Sequence, residues 1–91
     1  SLFPGAPALD ERRRWAVPVE GSPPIQDRVT LTLPAINHAA LVLFLADSAD
    51  KADPVARALA GDMTLPAGRI APPAGQCRWL LTAEAAGKIA T

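Results

Sequence analysis

Leu41-Val42-Leu43-Phe44-Leu45-Ala46-Asp47-Ser48-Ala49-Asp50-Lys51 is the stretch on which the fold turns. Leu41 to Leu45 is apolar at every position, so it lacks the alternation of a strand with one wet face. A run of this kind is the mark of a strand buried on both faces in a parallel sheet. The polar residues from Asp47 end it. Asp50 to Ala60 then reads as a helix with Val55, Leu59 and Ala52 inward, stopped by Gly61. A buried strand feeding a helix predicts an α/β architecture with a sheet covered by helices.

Upstream, Arg28-Val29-Thr30-Leu31-Thr32-Leu33 is rich in β-branched residues and reads as a second strand. Val29, Leu31 and Leu33 share one face, with Arg28, Thr30 and Thr32 on the other. Pro34 suits the first turn of a short helix running through Ala40. Further back, Trp15 to Val19 is a short extended segment, and Pro18 argues against a central place in a sheet. Ala8 to Arg14 has its acids first and its arginines last, the charge order of a short helix. Downstream, turns at Leu65-Pro66-Ala67-Gly68 and Pro72-Pro73-Ala74-Gly75 lead to a last strand, Cys77 to Leu81, and a terminal helix, Ala83 to Ala90. Gly21-Ser22-Pro23-Pro24 is a loop by composition.

Nine basic and nine acidic side chains cancel in the 91-residue chain. This balance supplies no electrostatic reason to expect a nucleic acid or an anionic membrane as partner. The longest apolar run falls far short of the roughly twenty residues that span a bilayer. The opening Ser1-Leu2-Phe3-Pro4-Gly5 has neither the charge nor the apolar region of a signal peptide. Cys77 is the only cysteine, so a reducing, cytoplasmic setting is the expectation, and no Cys/His set has zinc-ligand spacing. The lack of an initiator methionine points to processing or to a beginning that lies elsewhere.

In open α/β sheets ligands gather where strands end and helices begin. Lys51 falls in such a first turn, where the helix dipole disfavours a cation and a bound anion would reverse that. The plainer reading is a solvated lysine among Asp47, Asp50 and Asp53. Those aspartates lack the loop pattern of a calcium site. Arg28 is either a fork for a phosphate or carboxylate or a solvent-wetted edge residue. His38 has no identifiable acidic or nucleophilic partner, and Cys77, Trp15 and Trp79 read as packing residues.

Several blocks together resemble the 6-phosphogluconolactonase family. Ser1-Leu2-Phe3-Pro4-Gly5 is similar to the tail of its Asp-Gly-His-x-Ala-Ser-Leu-Phe-Pro-Gly segment. Arg28 through Pro34, followed by Asn37, resembles its Arg-Val/Ile-Thr-Leu-Thr-Leu-Pro-x-x-Asn block. Leu43-Phe44-Leu45 with Asp50-Lys51-Ala52, then Leu65-Pro66-Ala67, Trp79-Leu80-Leu81 and Ala85-Ala86, follow in order. The resemblance implies the C-terminal portion of a parallel-sheet, helix-flanked fold like that of glucosamine-6-phosphate deaminase and ribose-5-phosphate isomerase. It also implies metal-free hydrolysis of 6-phosphogluconolactone in the pentose phosphate pathway, with a histidine as general base and no cofactor. Lys51 would hold the substrate phosphate. Arg28 would contact substrate or organise the site, and Asn37 would orient the loop that carries it. The family histidine would precede Ser1, so this chain holds no catalytic residue, and His38 does not replace it. Ser48 stands where many members have glycine, and Thr82 where many have aspartate. Alternatives on the same scaffold are a non-catalytic sugar-phosphate binder and an isomerase or deaminase. A fully buried strand with few neighbours also implies that the chain is not stable without the N-terminal portion.

Overall fold

The computed structural model describes residues 1–21, 23–24 and 26–89. Its strands form two separate pairs. β1, Ala16–Glu20, runs antiparallel to β2, Asp27–Leu31, with Pro18 opposite Val29 and Val19 opposite Arg28. Pro18 is tolerated because the ribbon has only two strands, so no inner ladder position is lost. β3, Leu41–Ala46, pairs in parallel with β4, Gln76–Leu81, with Phe44 opposite Trp79. Their rings stack 4.0 Å apart and 9° from coplanar.

Parallel strands require a crossover, and residues 47–75 supply it. A 3-10 turn, Ala49–Lys51, passes directly into helix α2, Ala52–Leu59. A second 3-10 turn, Pro66–Arg69, then leads back to β4. Gly75 is needed where β4 begins: a Cβ there would lie 2.3 Å from the Ala39 carbonyl oxygen. That close approach lets the Gln76 N–H donate to the Ala40 carbonyl at 2.9 Å and start the ladder.

Several elements differ from expectation. β2 ends at Leu31 because a helix begins at Leu33 with Thr32 as its extended N-cap. The Thr32 N–H still donates to the Trp15 carbonyl at 3.0 Å, and its hydroxyl donates to the Arg14 carbonyl. Helix α1, Leu33–Asn37, is correspondingly short, and it places Asn37 at its last position. The expected helix over Ala8–Arg14 is a 3-10 turn at Pro7–Asp10, after which Glu11 accepts the N–H groups of Arg12 and Arg13 and the Arg14 Nε. Those donors hold the Glu11 carboxyl at about 2, the Arg14 side chain first. In α2 the buried residues are Ala52, Val55 and Ala58, while Leu59 is exposed. Residues 83–88 form turns instead of a helix, and Ala90 lies outside the described residues, as does Ser22.

The largest departure is burial. Thr30 and Thr32 are the buried face of their segment, whereas Val29 is 71% exposed and Leu31 is also exposed. Leu41, Leu43 and Leu45 likewise face outward, Leu45 at 74%, although a strand covered on both faces was expected. The other β3 face, Val42, Phe44 and Ala46, is half-buried. An apolar run on both faces fits a sheet with neighbours on all sides, and the described residues cover one side only.

Candidate functional site

The carboxyl ends of β3 and β4 open into a hollow of about 520 Å³ lined by Leu45, Ala46, Asp47, Leu80, Leu81 and Thr82. This is the end of the parallel pair at which the α/β rule places ligands. The chain leaves β3 through Asp47 and turns sharply at Ser48. Ser48 has φ 75° and ψ 153°, a region open to glycine and costly for any residue with a Cβ, at about 1–3 kcal/mol. Its hydroxyl donates to the Asp50 carboxylate. That bond, with the nearby Lys51 charge, holds Asp50 below its ordinary range.

The observed φ gives a physical reason for glycine at this position in the resembled pattern. Ser48→Gly should therefore stabilise the protein by about 1 kcal/mol, the relieved strain being partly offset by the lost bond to Asp50. Urea midpoints of the two forms of the complete enzyme check this, and an unchanged or lower midpoint for the glycine variant counts against it.

Lys51 ends the 3-10 turn, lies exposed immediately before α2, and donates its N–H to the Ser48 carbonyl at 3.3 Å. The flanking carboxylates have partners of their own, Asp50 with Ser48 and Asp53 with Arg57 at 3.8 Å. Asn37 is a clasp: its Oδ1 accepts the Ala71 N–H at 2.8 Å and its Nδ2 donates to the Arg69 carbonyl at 3.3 Å. It thus fixes the segment that leads from the Pro66–Arg69 turn into β4. Arg28, half-buried on β2, reaches back to Ser1 and Phe3. These three residues sit on different elements, each with its own setting.

Sequence reasoning missed the surroundings of Asn37. A second hollow of about 350 Å³ gathers Glu11, Arg12 and Arg69 beside it. Arg69 was unremarkable in the sequence because its Nε is engaged by a backbone carbonyl, that of Met63 at 2.8 Å, which leaves no pattern to read. Thr82 accepts the Ala85 N–H at 3.3 Å, so it caps the turn after β4 as an aspartate would. His38 meets Trp15 edge-on with 5.1 Å between ring centroids, a contact between two exposed rings. Among the described residues no group of three or more His, Cys, Asp or Glu is placed to hold a metal, and no helix is long and apolar enough to cross a membrane.

Residues 1–79 match the family described as Glucosamine-6-phosphate isomerases/6-phosphogluconolactonase. The chain belongs to this family.

Among its relatives within the glucosamine-6-phosphate isomerase/6-phosphogluconolactonase family, the 6-phosphogluconolactonase of Rattus norvegicus is 43% identical over 94% of this chain. Those of Homo sapiens and Streptomyces coelicolor are 42% and 44% identical over 100% and 98% of it. The match takes in 34%, 36% and 35% of those three proteins, so the chain spans about a third of their length. A crystal structure of devB protein superposes with a TM-score of 0.82 at 30% identity, covering 99% of this chain and 39% of that one. The 6-phosphogluconolactonase of Trypanosoma brucei gives 0.81 at 28% identity, covering 99% and 37%. The structure is accordingly an α/β partial fold of this family, as the sequence resemblance implied.

Proposed function

We propose that this chain is the C-terminal portion of a single 6-phosphogluconolactonase domain and hydrolyses 6-phosphogluconolactone only together with the N-terminal portion. The observation that carries the reading is the match to lactonases from mammals and Streptomyces at 42–44% identity over nearly the whole chain. A lactone is an activated ester, so a positioned base near neutral pKa acting on water suffices, with no cofactor. That base is the histidine of the Asp-Gly-His segment, which the resemblance puts upstream of Ser1. Lys51 holds the substrate phosphate from the turn before α2, where the positive end of the helix dipole adds to its charge. Asn37 orients the 69–71 segment next to β4, and Arg28 belongs to the site's framework. The partners are the N-terminal portion and the sugar-phosphate lactone, and the setting is cytoplasmic.

The test is acid release from 6-phosphogluconolactone by the complete enzyme, set beside ammonia release from glucosamine 6-phosphate. Hydrolysis of the lactone alone is expected. Ammonia release without lactone hydrolysis moves the chain to the isomerase side of its family, and phosphosugar binding without either reaction makes it a binding module.

A further inference from the structure

Arg28 spans the fold to hold the beginning of the chain. Its Nη1 donates to the Ser1 hydroxyl at 3.3 Å, and its guanidinium carbon lies 5.7 Å from the centroid of the Phe3 ring. The β1–β2 register fixes the Arg28 backbone opposite Val19. The arm it grips is shaped further on. Gly5, at φ 72°, closes a turn in which the Ala6 N–H donates to the Phe3 carbonyl at 3.2 Å. Ala8 and Leu9 then bury themselves and anchor the downstream end. The arm is therefore pinned at one end by burial and at the other by a guanidinium.

We infer that Arg28 is a positioning residue whose stack on Phe3 and bond to Ser1 set the placement of the segment preceding Ser1, in place of binding the substrate phosphate. The inference rests on the lactonase reading for its catalytic consequence, because that reading puts the general base just upstream of Ser1. Arginine fits the task better than lysine: its planar, weakly hydrated cation lies over a ring while its N–H groups still donate. A base works only within hydrogen-bond reach of its water, and a displacement of about 1 Å can cost about a hundredfold in rate.

The test uses the complete enzyme with Arg28→Lys, Phe3→Leu and Phe3→Tyr. Both of the first two should lower kcat about ten- to a hundredfold with little change in KM. Phe3→Tyr, which keeps the ring, should restore kcat. The Ala6 amide should exchange its hydrogen faster in Arg28→Lys and Phe3→Leu than in the parent. A rise in KM confined to Arg28→Lys, with Phe3→Leu at parental rate, would make Arg28 a substrate ligand and overturn the inference. Unchanged Ala6 protection in both variants also overturns it, whatever the reaction. A parent enzyme that leaves the lactone intact refutes the lactonase reading, and Ala6 exchange then decides the clamp alone.

Discussion

Lys51→Ala in the complete enzyme should raise KM for 6-phosphogluconolactone about ten- to a hundredfold. A hydrogen bond to a charged group contributes about 1.5–3 kcal/mol, and each 1.4 kcal/mol is a factor of about ten. The phosphate is remote from the ester that reacts, so its contact is made equally in ground and transition states. Loss of such uniform binding appears in KM while kcat stays near its parental value. The location suits the role: Lys51 is exposed immediately before α2, and the neighbouring Asp53 faces Arg57. Lys51→Arg should recover part of the loss, since it restores charge with a different shape. Steady-state kinetics of the three forms decide the matter. A KM for Lys51→Ala equal to the parent's removes Lys51 from the phosphate site.

How far this could be read from the sequence depended on how local each signal was. The strand and helix at Leu41–Leu59 were legible because an apolar run and the helical spacing of Ala52 and Val55 are local patterns. Leu59 was misplaced because spacing predicts a face, while burial depends on which neighbours are present. The β1–β2 ribbon was only half seen: both segments were visible, but pairing is a long-range choice. Pro18 argued against a central place in a sheet, and the two-stranded ribbon agrees, but it did not name the partner strand. Thr32 shows the same limit. Where the strand gives way to a helix, its buried hydroxyl donates to the Arg14 carbonyl, a partner the alternation of Thr and Leu does not reveal. At the site, the strand-to-helix junction pointed to Lys51 as a candidate, and the resemblance added Asn37. The backbone strain at Ser48 that shapes the junction became visible only as a dihedral angle.

The isolated chain should show no cooperative unfolding transition, and adding the proposed N-terminal portion should restore one. The described core explains why: its buried apolar residues larger than alanine are Leu9, Val17 and Val55. Accessible surface totals 6274 Å², against about 5,000 Å² for a folded monomer of this mass. The radius of gyration is 13.8 Å where about 12 Å is usual, and the molecule is a slab of 37 × 36 × 18 Å. The excess area coincides with Val29, Leu31, Leu41, Leu43, Leu45 and Leu80, all apolar and all exposed. Among the described residues β3 and β4 pair only with each other, so both outer edges of the parallel pair are open to another strand. Relatives nearly three times as long have the chain to supply both strand and cover. Alone, the 91 residues should melt gradually and bind a dye specific for exposed apolar surface. Mixed with the complementary portion, they should form a one-to-one complex with a single sharp transition and loss of dye binding. A sharp two-state urea transition of the isolated chain, without dye binding, would show that its few large core residues suffice and that the exposed leucines need no cover.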